Sequence, residues 1–206
     1  MTKTNQQKVK DFLINNGVIL VMFILVIYTG FTSDNFFTRN NFMNILMNMS
    51  SRLVIALGIA GCVITAGCDL SAGRMIGFGA CISGMLLQRM DYSGKFFPDM
   101  QPLNVFVVAL IAMLVCAAFG TVTGFFIAYL NVPPFIATLA MMEIVYGIGL
   151  IVTNATPLGG YVEQYTNVSN GKFLGINYLI WIAIIVAAIT WFIFNMTRHG
   201  KYMYAI

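Results

Sequence analysis

The sequence predicts an all-α protein, a polytopic bundle of transmembrane helices with about six crossings, on three observations. Of 206 residues, 59% are hydrophobic and 9% charged, against about 25% charged in ordinary soluble domains. So little charge cannot cover a surface in water, and lipid must be the solvent for most of the exterior. Second, six apolar stretches, at 17–31, 53–66, 75–87, 103–129, 135–152 and 178–194, approach the roughly 20 residues a membrane-crossing helix needs. Third, small residues recur every four positions, as helices packing in lipid require.

The chain opens with a polar, basic leader over 1–16 carrying Lys3, Lys8 and Lys10. Val9, Phe12 and Leu13 fall on one side of a short helical pattern there. No Ala-x-Ala cleavage site follows the first apolar run, which therefore reads as an uncleaved span. Residues 38–49 carry Phe42, Ile45, Leu46 and Met49 at helical spacing among four asparagines, the pattern of an amphipathic helix lying on the membrane surface. The second and third stretches are short and flank Gly67-Cys68-Asp69-Leu70-Ser71-Ala72-Gly73-Arg74. They read as two tight spans or as interrupted, re-entrant helices, which need cover from protein or a cavity.

In the fourth stretch Ala112, Cys116, Gly120, Gly124 and Ala128 form a continuous small-residue seam; Gly73, Gly77 and Cys81 begin another, and Ala183 with Ala187 a third. Asn131-Val132-Pro133-Pro134 punctuates the fourth and fifth stretches, because proline lacks an amide hydrogen and fixes φ. Glu143, midway along the fifth, is expected to face the bundle interior or to be protonated. Residues 153–177 are polar. Arg198 and Lys201 close the chain, and with the leader lysines they place both ends in the cytoplasm, an orientation opposed by Arg39, Arg52, Arg89 and Lys95 on the outer side.

Several function classes find no support. The net charge of +4 comes without basic clusters, which argues against nucleic-acid binding. Cys62, Cys68, Cys81 and Cys116 show no Cys-x-x-Cys spacing and the lone histidine, His199, is remote, so the cysteines read as packing residues and not as metal ligands. No nucleophile elbow, metal helix or phosphate loop occurs, which predicts no catalytic residues, no cofactor and no ATP site in this chain. Asp69 or Ser71 is expected to cap the third helix, with Arg74 near enough in sequence to pair with the carboxylate; a position beside a translocation path is the alternative.

The ordered set Phe37 to Leu46, Ala56-Leu57-Gly58-Ile59-Ala60-Gly61, Gly67-Cys68-Asp69-Leu70-Ser71-Ala72-Gly73, Asn131-Val132-Pro133-Pro134-Phe135-Ile136-Ala137-Thr138-Leu139 and Tyr146-Gly147 resembles the permease family of ribose-type ABC importers. The Gly-x-Asp-Leu-Ser-x-Gly element is the most specific mark. Residues 64–100 most resemble the galactoside-carrying members. The resemblance covers nearly everything from about residue 36 onward. It implies one permease domain over 1–206 in a bacterial inner membrane, multi-pass, working as a homodimer. It further implies a periplasmic sugar-binding protein that delivers the solute and a cytoplasmic ATPase that drives transport.

Within that reading, Asp69, Leu70, Ser71, Pro133, Pro134 and Phe135 are candidate path or gating positions. Arg198, Gly200, Lys201 and Tyr204 resemble the start of the ATPase-contacting element, which the sequence leaves partway through. A truncated chain is therefore expected to be inactive alone. Glu143 stands where the family pattern is apolar, so no inherited role attaches to it. The rival readings are an ion- or proton-coupled carrier using Asp69 and Glu143, and a non-transporting scaffold or receptor whose binding surface is 153–177.

Overall fold

The computed structural model describes residues 13, 14 and 16–205; the leader pattern on Val9 and Phe12 and the three leader lysines lie outside them. In order, the elements are α1 (Gly17–Thr32), α2 (Arg39–Ile64), α3 (Ala72–Leu86), α4 (Val105–Leu130), α5 (Pro134–Val152), α6 (Glu163–Asn170), β1 (Lys172–Phe173), β2 (Ile176–Asn177), α7 (Tyr178–Met196) and α8 (Arg198–Met203). Each of the six apolar stretches becomes a helix. By length and composition α2, α4, α5 and α7 suffice to cross a membrane, whereas α1 and α3 are shorter.

Contacts divide the chain into two compact units, 1–48 and 49–206. In the first, α1 is apolar on every side and has no buried residue. The turn after it is built from side chains. The Thr38 hydroxyl donates to Asn35 O (2.8 Å) and accepts from Asn41 N–H (3.3 Å), and Asn41 Nδ2 donates to Phe36 O (2.7 Å). This starts α2 at Arg39. The amphipathic pattern of 38–49 is not a separate surface helix, because α2 runs unbroken through Ser50-Ser51-Arg52, where no glycine or proline interrupts it.

The second unit has its core where α3, α4 and α5 meet. Phe78 and Ile82 of α3, Ala112 of α4, and Met141 and Val145 of α5 are buried together, with Phe78 edge-on to Phe119 at 5.6 Å. The core face of α5 is Thr138, Met141 and Val145; Glu143 lies off that face and is exposed. Its expected place in the bundle interior is thus corrected by helical phase.

The seam of α4 divides by level. Ala112 is buried and Cys116 Sγ lies 3.6 Å from where a Cβ on Gly79 would sit, while Gly120 and Gly124 have nothing within 4 Å of an added Cβ. The cause is the length of α3, whose 15 residues give about 22 Å beside about 39 Å of α4. Gly73 and Gly77 likewise face open space. The cysteines differ among themselves, Cys62 and Cys68 being exposed.

Residues 153–177 are partly ordered into α6 and a small antiparallel hairpin, a β feature added to the all-α expectation. Lys172 pairs with Asn177 and Phe173 with Ile176. Leu174 and Gly175 both have positive φ, the geometry of a tight two-residue turn. Asn177 then caps α7, accepting from Leu179 N–H at 2.8 Å.

Candidate functional site

The turn before α3 is organised by one carboxylate. Asp69 Oδ1 accepts from Ser71 N–H at 2.8 Å and from the Ser71 hydroxyl at 2.6 Å. Ser71 occupies the N-cap position and is buried, yet its side chain makes no capping bond to α3. Of the expected cap and turn role, the turn falls to Asp69, as an Asx-type turn immediately before the helix, and the Ser71 side chain does not cap. Arg74 is not the partner of Asp69. Its guanidinium carbon sits 4.0 Å from the centroid of the Tyr146 ring, on α5.

The depth of this turn follows from helix lengths. At one end α3 and α4 are tied by Leu103 N–H donating to Leu86 O (3.4 Å). From there α3 reaches only to the middle of α4, where the Cys116 thiol approaches Met75 O at 3.6 Å. Arg74 and Met75 thus lie near the middle of the 26-residue α4, with the turn of Asp69 to Ser71 just before them. Irregular backbone at such depth survives only where protein or a cavity covers it.

A cavity of about 180 Å³ opens between α3 and α5, with Arg74 in its wall. Its wall includes Arg74, Phe78, Cys81, Val145, Tyr146 and Thr153. The Thr153 hydroxyl is already committed to Gly149 O (2.8 Å), so Arg74 and the phenol of Tyr146 are the polar groups the wall has to offer.

Pro133, Pro134 and Phe135 sit at the joint between α4 and α5. Asn131 ends α4 in the left-handed conformation (φ 53°), Val132 N–H reaches back to Phe126 O (3.2 Å), and Pro134 starts α5. This is the predicted punctuation. Phe135 is exposed and Leu70 partly so. Among the described residues no hydrogen bond or ring contact joins this trio to Asp69-Leu70-Ser71.

At the end where Leu103 meets Leu86, a second arrangement went unread in the sequence. Gln88 is 1% exposed; its Nε2 donates to Gly159 O (3.0 Å) and its Oε1 accepts from Phe96 N–H (2.7 Å). Arg89 N–H donates to Gly160 O and Val162 N–H to Leu87 O, each at 2.8 Å. One amide side chain thereby fastens both loops at this end to α3. Tyr92 covers Gly160, which has φ of 69°. Beside them Tyr161 donates its hydroxyl to Leu158 O (2.8 Å), and burial, then the neighbouring Tyr165, push its phenol above the ordinary tyrosine value. The Gly159-Gly160 pair was the available signal.

At the other extreme, α7 turns into α8 on Thr197, whose hydroxyl accepts from Gly200 N–H (3.3 Å). Gly200 is buried, and an added Cβ would overlap the Phe194 carbonyl. Arg198, Lys201 and Tyr204 are exposed. Met203 turns inward, its Cε 3.1 Å from the Cβ position of Gly61 on α2.

A bundle of long apolar helices, with the shorter α3 and its polar turn among them, is the architecture expected of a membrane permease. The chain belongs to the family described as branched-chain amino acid transport system / permease component, whose model matches residues 41–206. It is 38% identical over 213 residues to the galactose/methyl galactoside import permease protein of Escherichia coli K12, a match covering 100% of this chain and 63% of that protein. The corresponding Haemophilus influenzae protein is also 38% identical, with the same coverage. The ribose import permease protein of Escherichia coli K12 is 30% identical over 201 residues, covering 96% of this chain and 59% of that protein. The chain therefore spans just under two thirds of the length of these relatives. No solved structure matches.

Proposed function

We infer that this chain is the membrane-spanning permease part of an ATP-driven sugar importer, carrying galactose or a methyl galactoside across a bacterial inner membrane. The observation that carries the reading is the 38% identity along the whole chain to a galactoside import permease. The geometry supports it by supplying long apolar helices suited to crossing a membrane.

On this reading the N-terminus is cytoplasmic. The loops fastened by Gln88 then face the periplasm and receive sugar from a binding protein, while α8 faces the cytoplasm. There Arg198, Lys201 and Tyr204 are presented to a separate ATPase subunit, and buried Gly200 lets α8 fold tightly against the end of α7. The 206 residues act as one permease domain with 1–16 as a cytoplasmic leader, and two copies form the working dimer. Asp69-Leu70-Ser71 and Pro133-Pro134-Phe135 are path or gating positions, the former because the irregular backbone before α3 shifts more readily than a regular helix.

The test is the energy source. Right-side-out membrane vesicles from the source cell should take up methyl galactoside when ATP is loaded inside and binding protein is added outside, and should keep doing so after a protonophore collapses the proton gradient. Uptake that dies with the gradient while ATP is plentiful would replace this reading with an ion- or proton-coupled carrier.

A further inference from the structure

We propose that Arg74 and Tyr146 form a solute-contact station inside the membrane, recognising a neutral polyhydroxylated solute at the cavity they share with Cys81 and Val145. The inference rests on the importer reading and assigns it a recognition site within the helical bundle.

A guanidinium inside the apolar layer is costly, and such residues normally have a partner. Among the described residues the ion pair formed is Arg89–Asp91, far off at the loop end; Arg74 makes no ion pair and no side-chain hydrogen bond. Its contact is the ring face of Tyr146 at 4.0 Å. That satisfies the cation electrostatically but leaves unspent the N–H donors along the guanidinium edge.

Both groups are reachable, Arg74 being exposed and Tyr146 41% exposed. Next to them the cavity of about 180 Å³ is walled by Phe78 and Val145. An apolar wall with a few convergent polar groups is the ordinary form of a small-molecule site. A sugar meets both halves, its hydroxyl oxygens accepting from the guanidinium and its C–H face lying on the ring. Glu143 precedes Tyr146 by three residues and is exposed on α5, so the two share a helix side.

The test uses the intact transport system in source cells, with Arg74→Gln, Arg74→Lys, Tyr146→Phe and Tyr146→Ala introduced into the native gene and membrane abundance measured by immunoblot. At limiting methyl galactoside, Arg74→Gln should lower uptake per permease roughly tenfold or more, as expected for losing a charged hydrogen-bond donor. Arg74→Lys should fall between, and Tyr146→Ala should be impaired more than Tyr146→Phe, which keeps the ring face but loses the phenol. A second readout does not depend on the variants accumulating. With Cys62, Cys68 and Cys116 replaced by alanine, a small methanethiosulfonate should label Cys81, and millimolar methyl galactoside should slow that labelling several-fold. Wild-type uptake by Arg74→Gln would overturn the inference, as would a Cys81 that is unlabelled or labelled at the same rate with and without sugar. Deleting the gene without loss of uptake would sink the importer reading itself. Uptake that needs the gene but ignores Arg74 would sink only the station.

Discussion

Asp69 and Ser71 are joined twice through a single carboxylate oxygen, Oδ1, which accepts both the backbone N–H (2.8 Å) and the hydroxyl (2.6 Å) of Ser71. The pair fixes where the chain stops being irregular and α3 begins. Asp69→Ala removes both bonds and should destabilise the purified protein by about 1–3 kcal/mol. Asp69→Asn keeps an acceptor and should cost less, and Ser71→Ala should cost about as much as losing one bond. Thermal unfolding in detergent gives the order; Asp69→Ala as stable as wild type would remove the turn from the account.

Gln88 holds two loops at once, so its loss should be felt in both. Gln88→Leu leaves Gly159 O and Phe96 N–H without their partner, each at about 1–3 kcal/mol where water cannot replace it. Hydrogen exchange should accelerate in 90–103 and in 154–162 together, while α5 keeps its protection. Acceleration in only one loop would mean the fastening lies elsewhere.

Gly160 is under two constraints that a mutant pair can separate. Its φ of 69° disfavours any side chain, and an added Cβ would overlap the Tyr92 ring. Gly160→Ala should lower stability by roughly 1–2 kcal/mol from the backbone alone, plus the clash. Adding Tyr92→Ala should recover the clash and leave the backbone cost. Full recovery in the double variant would show that conformation plays no part.

The Tyr161 phenol is raised by burial, which gives stability a defined alkaline edge. The unfolded chain ionises first, at the ordinary tyrosine value of about 10. Stability from this group is complete below that pH and falls as pH climbs through the folded value. Tyr161→Phe should flatten the loss of stability above about pH 10 relative to wild type. Parallel curves for the two proteins would contradict the shift.

The helices were legible because lipid demands long apolar runs, and the joint at Asn131 to Pro134 because proline dictates its own backbone. What escaped depended on length and phase. That α3 is too short for α4 cannot be read from either stretch alone, yet it opens the lower half of the α4 seam and sets Arg74 near the middle of α4. Glu143 looked interior because it lies mid-helix, but the positions of Thr138, Met141 and Val145 turn it outward. Arg74 invited pairing with the nearby Asp69, and its ring partner lies on another helix 72 positions along the chain. The α2 pattern was split in two because polarity changes along it, although nothing in Ser50-Ser51-Arg52 stops a helix.

The most direct test of the transport reading is uptake of labelled methyl galactoside by source cells before and after clean deletion of this gene, with the gene returned on a plasmid. The account predicts loss of high-affinity uptake on deletion and recovery on complementation, with galactose competing strongly and ribose weakly. Unchanged galactoside uptake in the deletion strain would contradict it.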